Sequence, residues 1–230
     1  MLNPSSKFQL HLIEKHAFIQ VDSLNILIDT GAPSSLSMKG SFSFLGKTYT
    51  CPSKSFGFDL ENISELLGHT IDVLMGNDIL SNHMVEFNYR EHYVAFDTSG
   101  GFADIPTSQE FTIEQFMGIP VVTLHVNQQA IKCFLDTGAT LSYLNPAITQ
   151  RYTSKGTKED FYPNIGKFLS PVFEVAARMG ELEFLMDVGH LPELFALTLT
   201  LSNTQGILGY DFFASFKVRL NLRENKLTIG

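Results

Sequence analysis

NILIDTGAPSSLS at residues 25–37 and KCFLDTGATLSYL at residues 132–144 share one local pattern. In each, an apolar run stops at Asp-Thr-Gly-Ala. A short continuous run rich in Ile, Leu and Phe reads as a buried strand. Asp, Thr and Gly suit the turn that ends it. One such loop is an ordinary turn. Two, each leaving an apolar strand in the same way, need a shared explanation: a duplicated structural turn, or two parts of one site.

Working outward, the copies align at an offset of 107, which sets Asp29 on Asp136. The preceding AFIQVDSLNILI and VTLHVNQQAIKCFL each read as two short strands joined by a polar turn. A second alignment, at an offset of 133, sets residues 74–96, LMGNDILSNHMVEFNYREHYVAF, on residues 207–229, ILGYDFFASFKVRLNLRENKLTI. NYREHY and NLRENK read as hairpin turns, and NDILSNH and YDFFASF as one or two turns of helix. Asp78 and Asp211, two residues after the second glycines, fit as helix caps or first-turn acids. Each half then has the same order: strands, DTGA, a variable middle, apolar-apolar-Gly, short helix, hairpin. That is the mark of an internal repeat. Within the middles, SFSFLGKTYTC (41–51) matches FEVAARMGELEFLM (173–186), with Gly46 or Gly180 at the turn. The second half carries 26 more residues, falling roughly between Pro146 and Pro171. Residues 97–120, rich in Gly, Ser, Thr and Pro, read as the join. The expected organisation is a first lobe at 1–100, a linker at 101–119 and a second lobe at 120–230.

Bulk properties narrow the function. The 230 residues suffice for one large domain or two small ones with a real core. A formal charge of −8, with no Lys/Arg-rich run, argues against binding a phosphate backbone. Two cysteines, Cys51 and Cys133, are too few for a disulfide framework or a Cys-based zinc site. The seven histidines are scattered without HExxH or paired spacing, so no metal and no cofactor is expected. No Walker loop, GxGxxG or GxSxG occurs. The N-terminal residues lack the pattern of a signal peptide, and no apolar stretch reaches membrane-spanning length. The expectation is a cytoplasmic monomer with no membrane partner. ENISELLGH (61–69) has helical apolar spacing and reads as a packing helix.

A paired loop has a chemical use. Two similar lobes facing each other would bring Asp29 and Asp136 together at a pseudo-twofold axis. Carboxylates that close cannot both ionise cheaply, so they share a proton and titrate as a unit. One can then activate a water while the other protonates a carbonyl oxygen. Gly31 and Gly138 let backbone amides approach the carboxylates, and Thr30 and Thr137 can bond across the axis.

These residues carry a family resemblance. With Asp29-Thr30-Gly31-Ala32, Asp136-Thr137-Gly138-Ala139 and the later Leu74-Met75-Gly76 and Ile207-Leu208-Gly209, the chain resembles the aspartic proteases. It is closer to the retropepsin-like than to the pepsin-like branch, as two retropepsin-like lobes fused in one chain. The resemblance covers nearly the whole chain. It implies an all-β, double-ψ type acid protease fold with a six-strand bottom sheet, catalytic aspartates at Asp29 and Asp136, and extended peptide or protein substrates. Two departures stand out. Asn77 and Tyr210 occupy the place where retroviral members often have Arg, and Pro33 follows the first DTGA and restricts Ala32. Pepsin-like enzymes usually have Ser or Thr where Ala32 and Ala139 stand. Without that hydroxyl the charged form loses a hydrogen bond, which shifts expected activity toward weakly acid or near-neutral pH.

The resemblance also implies a β-hairpin flap over the substrate. Only the second half has the length for one, in KEDFYPNIGKFLSPVF (158–173), with candidate flap residues Tyr162, Asn164, Ile165 and Gly166. The first half has only PSSLSMKGS in that place. The leading function is an aspartic endopeptidase. The alternatives are a non-catalytic peptide- or protein-binding module on the same fold, and an interaction protein joined through sheet edges.

Overall fold

The computed structural model describes residues 6–55, 57–97, 102–162 and 165–230. The architecture is all-β with a few short helices, as the alternation of short apolar runs requires. Both DTGA-bearing strands pair in the same way. Leu24–Ile28 runs parallel to Val73–Met75 with Val73 opposite Ile26. Gln129–Leu135 runs parallel to Gly206–Leu208 with Cys133 opposite Gly206. Ile26, Ile28, Cys133 and Leu135 are fully enclosed. That accounts for the unbroken apolar runs, since strands covered on both faces have no solvent side to mark with polar residues.

Three sheets carry the molecule. A five-stranded sheet in the first half holds Leu24–Ile28, and an eight-stranded sheet in the second half holds Gln129–Leu135. A six-stranded sheet takes its strands from both halves, in the order Ser6–Gln9, Tyr93–Asp97, Met84–Asn88, Val218–Asn221, Lys226–Ile229, Gln109–Thr112. Its seam is the antiparallel pair Met84–Asn88 with Val218–Asn221, which sets Glu86 opposite Arg219. One buried apolar cluster runs continuously from Ile26 and Phe87 to Phe213 and Val218, so the halves share a core.

The segment expected to be a linker is more ordered than its Gly, Ser and Pro content implies. Gln109–Thr112 closes the edge of the six-stranded sheet on Lys226–Ile229, and Glu114–Phe116 pairs with Ile119–Val126. These are the counterparts of Ser6–Gln9 and His11–Ile13 in the first half. QEFTIEQF alternates polar and apolar residues as a half-covered strand does; the turn-forming residues around it hid that signal.

Other expectations on local structure hold. Gly46 and Gly180 sit at the turns of matched hairpins with positive φ. Asn88 and Asn221 each cap their hairpin turn by accepting from the amide three residues on, at 3.0 and 3.2 Å. Leu60–Leu67 is a helix that buries Leu60, Ile63 and Leu67, is capped by Asp59 and ends at a left-handed Gly68. Asn77–Leu80 and Tyr210–Ser215 are the short helices, with Asp78 and Asp211 in their first turns.

The Glu86–Arg219 pair crosses the seam at 2.6 Å, with the two side chains 9% and 12% exposed. Tyr93 donates to the other Glu86 oxygen at 2.8 Å. Removing one partner of an enclosed, hydrogen-bonded pair leaves an uncompensated charge. Glu86→Ala is therefore expected to lower the unfolding free energy by about 3–5 kcal/mol in urea titrations. A loss below about 1 kcal/mol would place the pair with ordinary surface bridges.

Candidate active site

Each DTGA loop begins where its central strand leaves the sheet. Asp29 N–H donates to the Met75 carbonyl at 3.0 Å, and Asp136 N–H to the Leu208 carbonyl at 2.9 Å. The loops then turn toward each other. Thr30 N–H donates to Thr137 Oγ1 at 3.0 Å and Thr137 N–H donates to Thr30 Oγ1 at 2.9 Å. Each hydroxyl passes its own proton across to the opposite strand, Thr30 to the Leu135 carbonyl at 2.8 Å and Thr137 to the Ile28 carbonyl at 2.7 Å. Both threonines are buried, so every donor and acceptor in this lattice is satisfied away from water.

This lattice brings Asp29 and Asp136 together at the floor of a cleft, each carboxyl packed against the opposite loop's glycine. Gly31 N–H donates to Asp29 Oδ1 at 2.8 Å, and Gly138 N–H to Asp136 Oδ1 at 2.7 Å. The glycines are required by space. A Cβ on Gly31 would lie 2.3 Å from Asp136 Cγ, and one on Gly138 would lie 2.9 Å from Asp29 Cγ. Ala32 and Ala139 present no hydroxyl to the carboxylates. Instead their carbonyls accept from Asn77 N–H at 2.9 Å and Tyr210 N–H at 3.0 Å, which ties each loop to the following helix. So Asn77 and Tyr210, which replace the Arg of the resembled family, serve as backbone anchors, and Asn77 Nδ2 also donates to the Thr30 carbonyl at 2.7 Å.

Two support residues escaped the sequence reading. Ser35 Oγ accepts from Gly76 N–H at 2.9 Å, and Ser142 Oγ accepts from Gly209 N–H at 3.0 Å. Both serines stand six residues after their aspartate, at the same offset of 107. The signal was present in the alignment but masked by the abundance of serine in PSSLS.

Burial holds the Asp29 carboxyl well above the usual carboxylate range, with the Asp136 charge and the hydrogen bond to it adding to the effect. Burial likewise raises Asp136, while the amides of Gly138, Ala139 and Gly31 and the bond from Asp29 act to lower it. The pair therefore holds one proton to a higher pH than an isolated carboxylate would. Tyr89, fully buried near both aspartates, has its phenol pushed far up by burial and their negative charge, so it stays neutral.

The cleft above is lined mainly by apolar surface. The strands Gly156–Tyr162 and Gly166–Met179 form a hairpin in register Tyr162 opposite Gly166. This is where the 26 surplus residues lie. Asp160, Phe161, Tyr162 and Phe168 line the cleft. Phe161 packs on the first half's cluster of Phe18, Leu36, Leu60 and Ile63. Tyr162 lies edge-on to Phe195 at 4.2 Å and Phe58 at 5.9 Å. Ile165 N–H donates to the Tyr162 carbonyl at 2.9 Å, and Gly166 opens the returning strand. Asn164 lies outside the described residues.

The first half has no long hairpin, but it is not bare. Lys54–Ser55 and Phe58–Asp59 form a small antiparallel pair, and Ser55 and Phe58 reach the cleft wall. A two-residue strand gives no usable periodicity, so the sequence did not show it. His16 and Asp160, also on the wall, were unmarked for another reason: they are 144 positions apart and meet only in the fold.

Neither a protein-family model nor a curated protein sequence matches the chain. Solved structures do. Soybean basic 7S globulin is similar over 100% of this chain and 95% of its own, with a TM-score of 0.56 and 8% identity. A retropepsin-like aspartic protease from Rickettsia conorii is similar over 53% of this chain and 90% of its own, with a TM-score of 0.38 and 18% identity. At these identities the likeness concerns the fold, which is all-β and of the pepsin-like and retropepsin-like kind. A likeness of fold alone does not decide turnover.

The raised carboxyls have a consequence for stability. A carboxyl whose folded pKa is raised binds more protons in the folded than in the unfolded chain. Its contribution is full below the unfolded value of about 3.9 and is lost as pH rises toward the folded value. Asp29→Asn removes that loss. The variant is expected to melt higher than wild type at pH 7 and at the same temperature near pH 3. A melting difference that does not vary with pH would mean that the Asp29 carboxyl is unperturbed.

Proposed function

We propose that the chain is an aspartic endopeptidase in which Asp29 and Asp136 activate one water between them. The observation that carries this is the carboxyl pair itself: two partly buried acids, each against the other loop's glycine, held by reciprocal threonine bonds at the floor of an open cleft. A purely structural turn gains nothing from placing two carboxyls together in a poorly hydrated site, because burial and mutual repulsion both oppose it. In the singly protonated pair the ionised carboxyl takes a proton from water as the oxygen attacks the amide carbon. The other carboxyl gives its proton to the carbonyl oxygen. The tetrahedral intermediate collapses when the carboxyl that took the water's proton gives it to the nitrogen, a gem-diol hydroxyl returns its proton to the other carboxyl, and the C–N bond breaks. No covalent bond to the protein forms.

On this reading the chain consists of two related lobes, with the second beginning near Gln109, where the strand order restarts. The hairpin 156–179 is a flap that belongs to the second lobe and closes on the first. A peptide would lie extended in the cleft and bond to the strand edges beside it, a common mode of peptide capture. The raised carboxyl pair favours activity in weakly acid to near-neutral conditions, in line with the absent hydroxyls at Ala32 and Ala139. The second reading, a peptide-binding module without turnover, is favoured by one fact: a fold neighbour that spans the whole chain is a globulin.

Asp29→Asn and Asp136→Asn distinguish the two. Each should reduce cleavage of a peptide library by at least about a thousandfold, within the range for loss of a general acid or base. Each should still bind the same peptides. Wild type that binds but cleaves nothing between pH 3 and pH 8 would establish the binding module instead. Deleting residues 162–167 tests the flap. The melting temperature is expected to change little while cleavage falls by about a hundredfold or more, as for loss of substrate positioning. Equal loss of fold and activity would make the hairpin a structural element.

A further inference from the structure

The cleft wall carries one charge that neither the dyad nor the fold explains. Asp160 lies on the inner strand of the hairpin and lines the cleft. Its Oδ2 accepts from Thr140 Oγ1 at 2.9 Å and from the Tyr143 hydroxyl, and its Oδ1 accepts from Phe161 N–H at 2.8 Å. All three partners are neutral, and Asp160 forms no ion pair among the described residues. The lining residues include three aspartates and one histidine but no lysine or arginine. Lys158, which feels the Asp160 charge, is not a lining residue and stands among Lys15, Asp187 and Asp211 as well.

The histidine is the second half of the observation. His16 is 5% exposed and lines the same cleft, its ring stacked on Phe161 with centroids 5.8 Å apart. Its Nδ1 is buried and has no hydrogen-bond partner. Burial lowers its pKa, against weaker raising effects from Asp160 and from the Ile13 and Glu14 carbonyls. The buried, unpartnered Nδ1 is free to bond with a group that a ligand brings. A buried polar atom without a partner is costly and marks a place where something is missing.

We infer that Asp160 and His16 Nδ1 form a subsite for a lysine or arginine side chain of a bound peptide. A carboxylate with neutral partners only and a ring nitrogen with none complement a donor-rich cation. The aromatic walls of Phe161 and Tyr143 suit its methylene stem and favour a positive charge over their faces. This assignment deepens the proposed protease reading and rests on the same cleft. It gives an otherwise apolar channel one charged selector.

The test uses octapeptides in which lysine, or norleucine as its uncharged counterpart, is scanned through an otherwise fixed sequence. Binding is measured by fluorescence anisotropy on the full-length Asp29→Asn protein, with and without Asp160→Asn, and cleavage on wild type. At one scan position lysine should bind about tenfold tighter than norleucine, the scale of one charge-assisted hydrogen bond. Asp160→Asn keeps an acceptor for Thr140 and Tyr143 but removes the charge, and should bring that ratio close to one. If the double variant fails to fold, salt decides. The lysine advantage should shrink between about 50 and 500 mM salt while norleucine binding holds. A ratio of one at every position, or an advantage that survives Asp160→Asn or is insensitive to salt, overturns the subsite. Failure of wild type to cleave any of the peptides overturns the protease reading and leaves the binding ratio to judge the subsite.

Discussion

Two threonine side chains, each hydrogen-bonded to the other's backbone amide and to the opposite strand, hold the centre of this molecule together. The four bonds between Thr30 and Thr137 and their surroundings are short and buried. They fix the distance and orientation of two loops that belong to different sheets. With that distance fixed, the carboxyls of Asp29 and Asp136 must be close, whatever the electrostatic cost. The cost is borne because the surrounding strands, the shared core and the Glu86–Arg219 bridge all lock the same arrangement. A loose junction would let the two acids drift apart and hydrate separately.

Around this near-symmetric centre the molecule is strongly asymmetric. The second half extends a long hairpin over the cleft, and its Phe161 docks on a cluster built around the helix Leu60–Leu67 of the first half. The first half supplies a small two-strand lip at Ser55 and Phe58. Such a cleft has distinguishable ends. An extended peptide entering it meets different walls according to its direction, which an exact twofold site cannot offer. The equivalence of the two loops pairs the carboxyls, and the inequality of their surroundings makes the two ends of the cleft different.

Much of this was legible in the sequence, for a reason particular to repeated folds. A second copy of a motif is an internal control: DTGA, the apolar-apolar-Gly segment and the Asn-Tyr or Asn-Leu hairpins each appeared twice in matched order. Continuous apolar runs gave the enclosed strands, and the length difference between halves gave the long hairpin. What stayed hidden was of two kinds. Gln109–Thr112 and Glu114–Phe116 were short strands surrounded by turn residues, and Lys54–Ser55 was too brief for any period to show. His16, Asp160 and Tyr143 had no local signature at all, because their proximity is produced by the hairpin crossing from one half to the other.

Those hidden residues differ in kind from the visible ones. The dyad and its threonines satisfy each other, and their partners are all within the chain. Asp160 and His16 are left with unmet capacity: an unneutralised carboxylate, and a buried nitrogen without a partner. The three hydrogen bonds to Asp160 return part of the solvation it loses, but its charge and the His16 nitrogen stay uncompensated on an apolar wall. Their persistence at the cleft, and not in the shared core, is what a complementary ligand would account for. The repeated residues hold the paired carboxyls in place; the unrepeated ones, on one strand of one hairpin and the strand it faces, are where, on the proposed reading, a preference among peptides would reside.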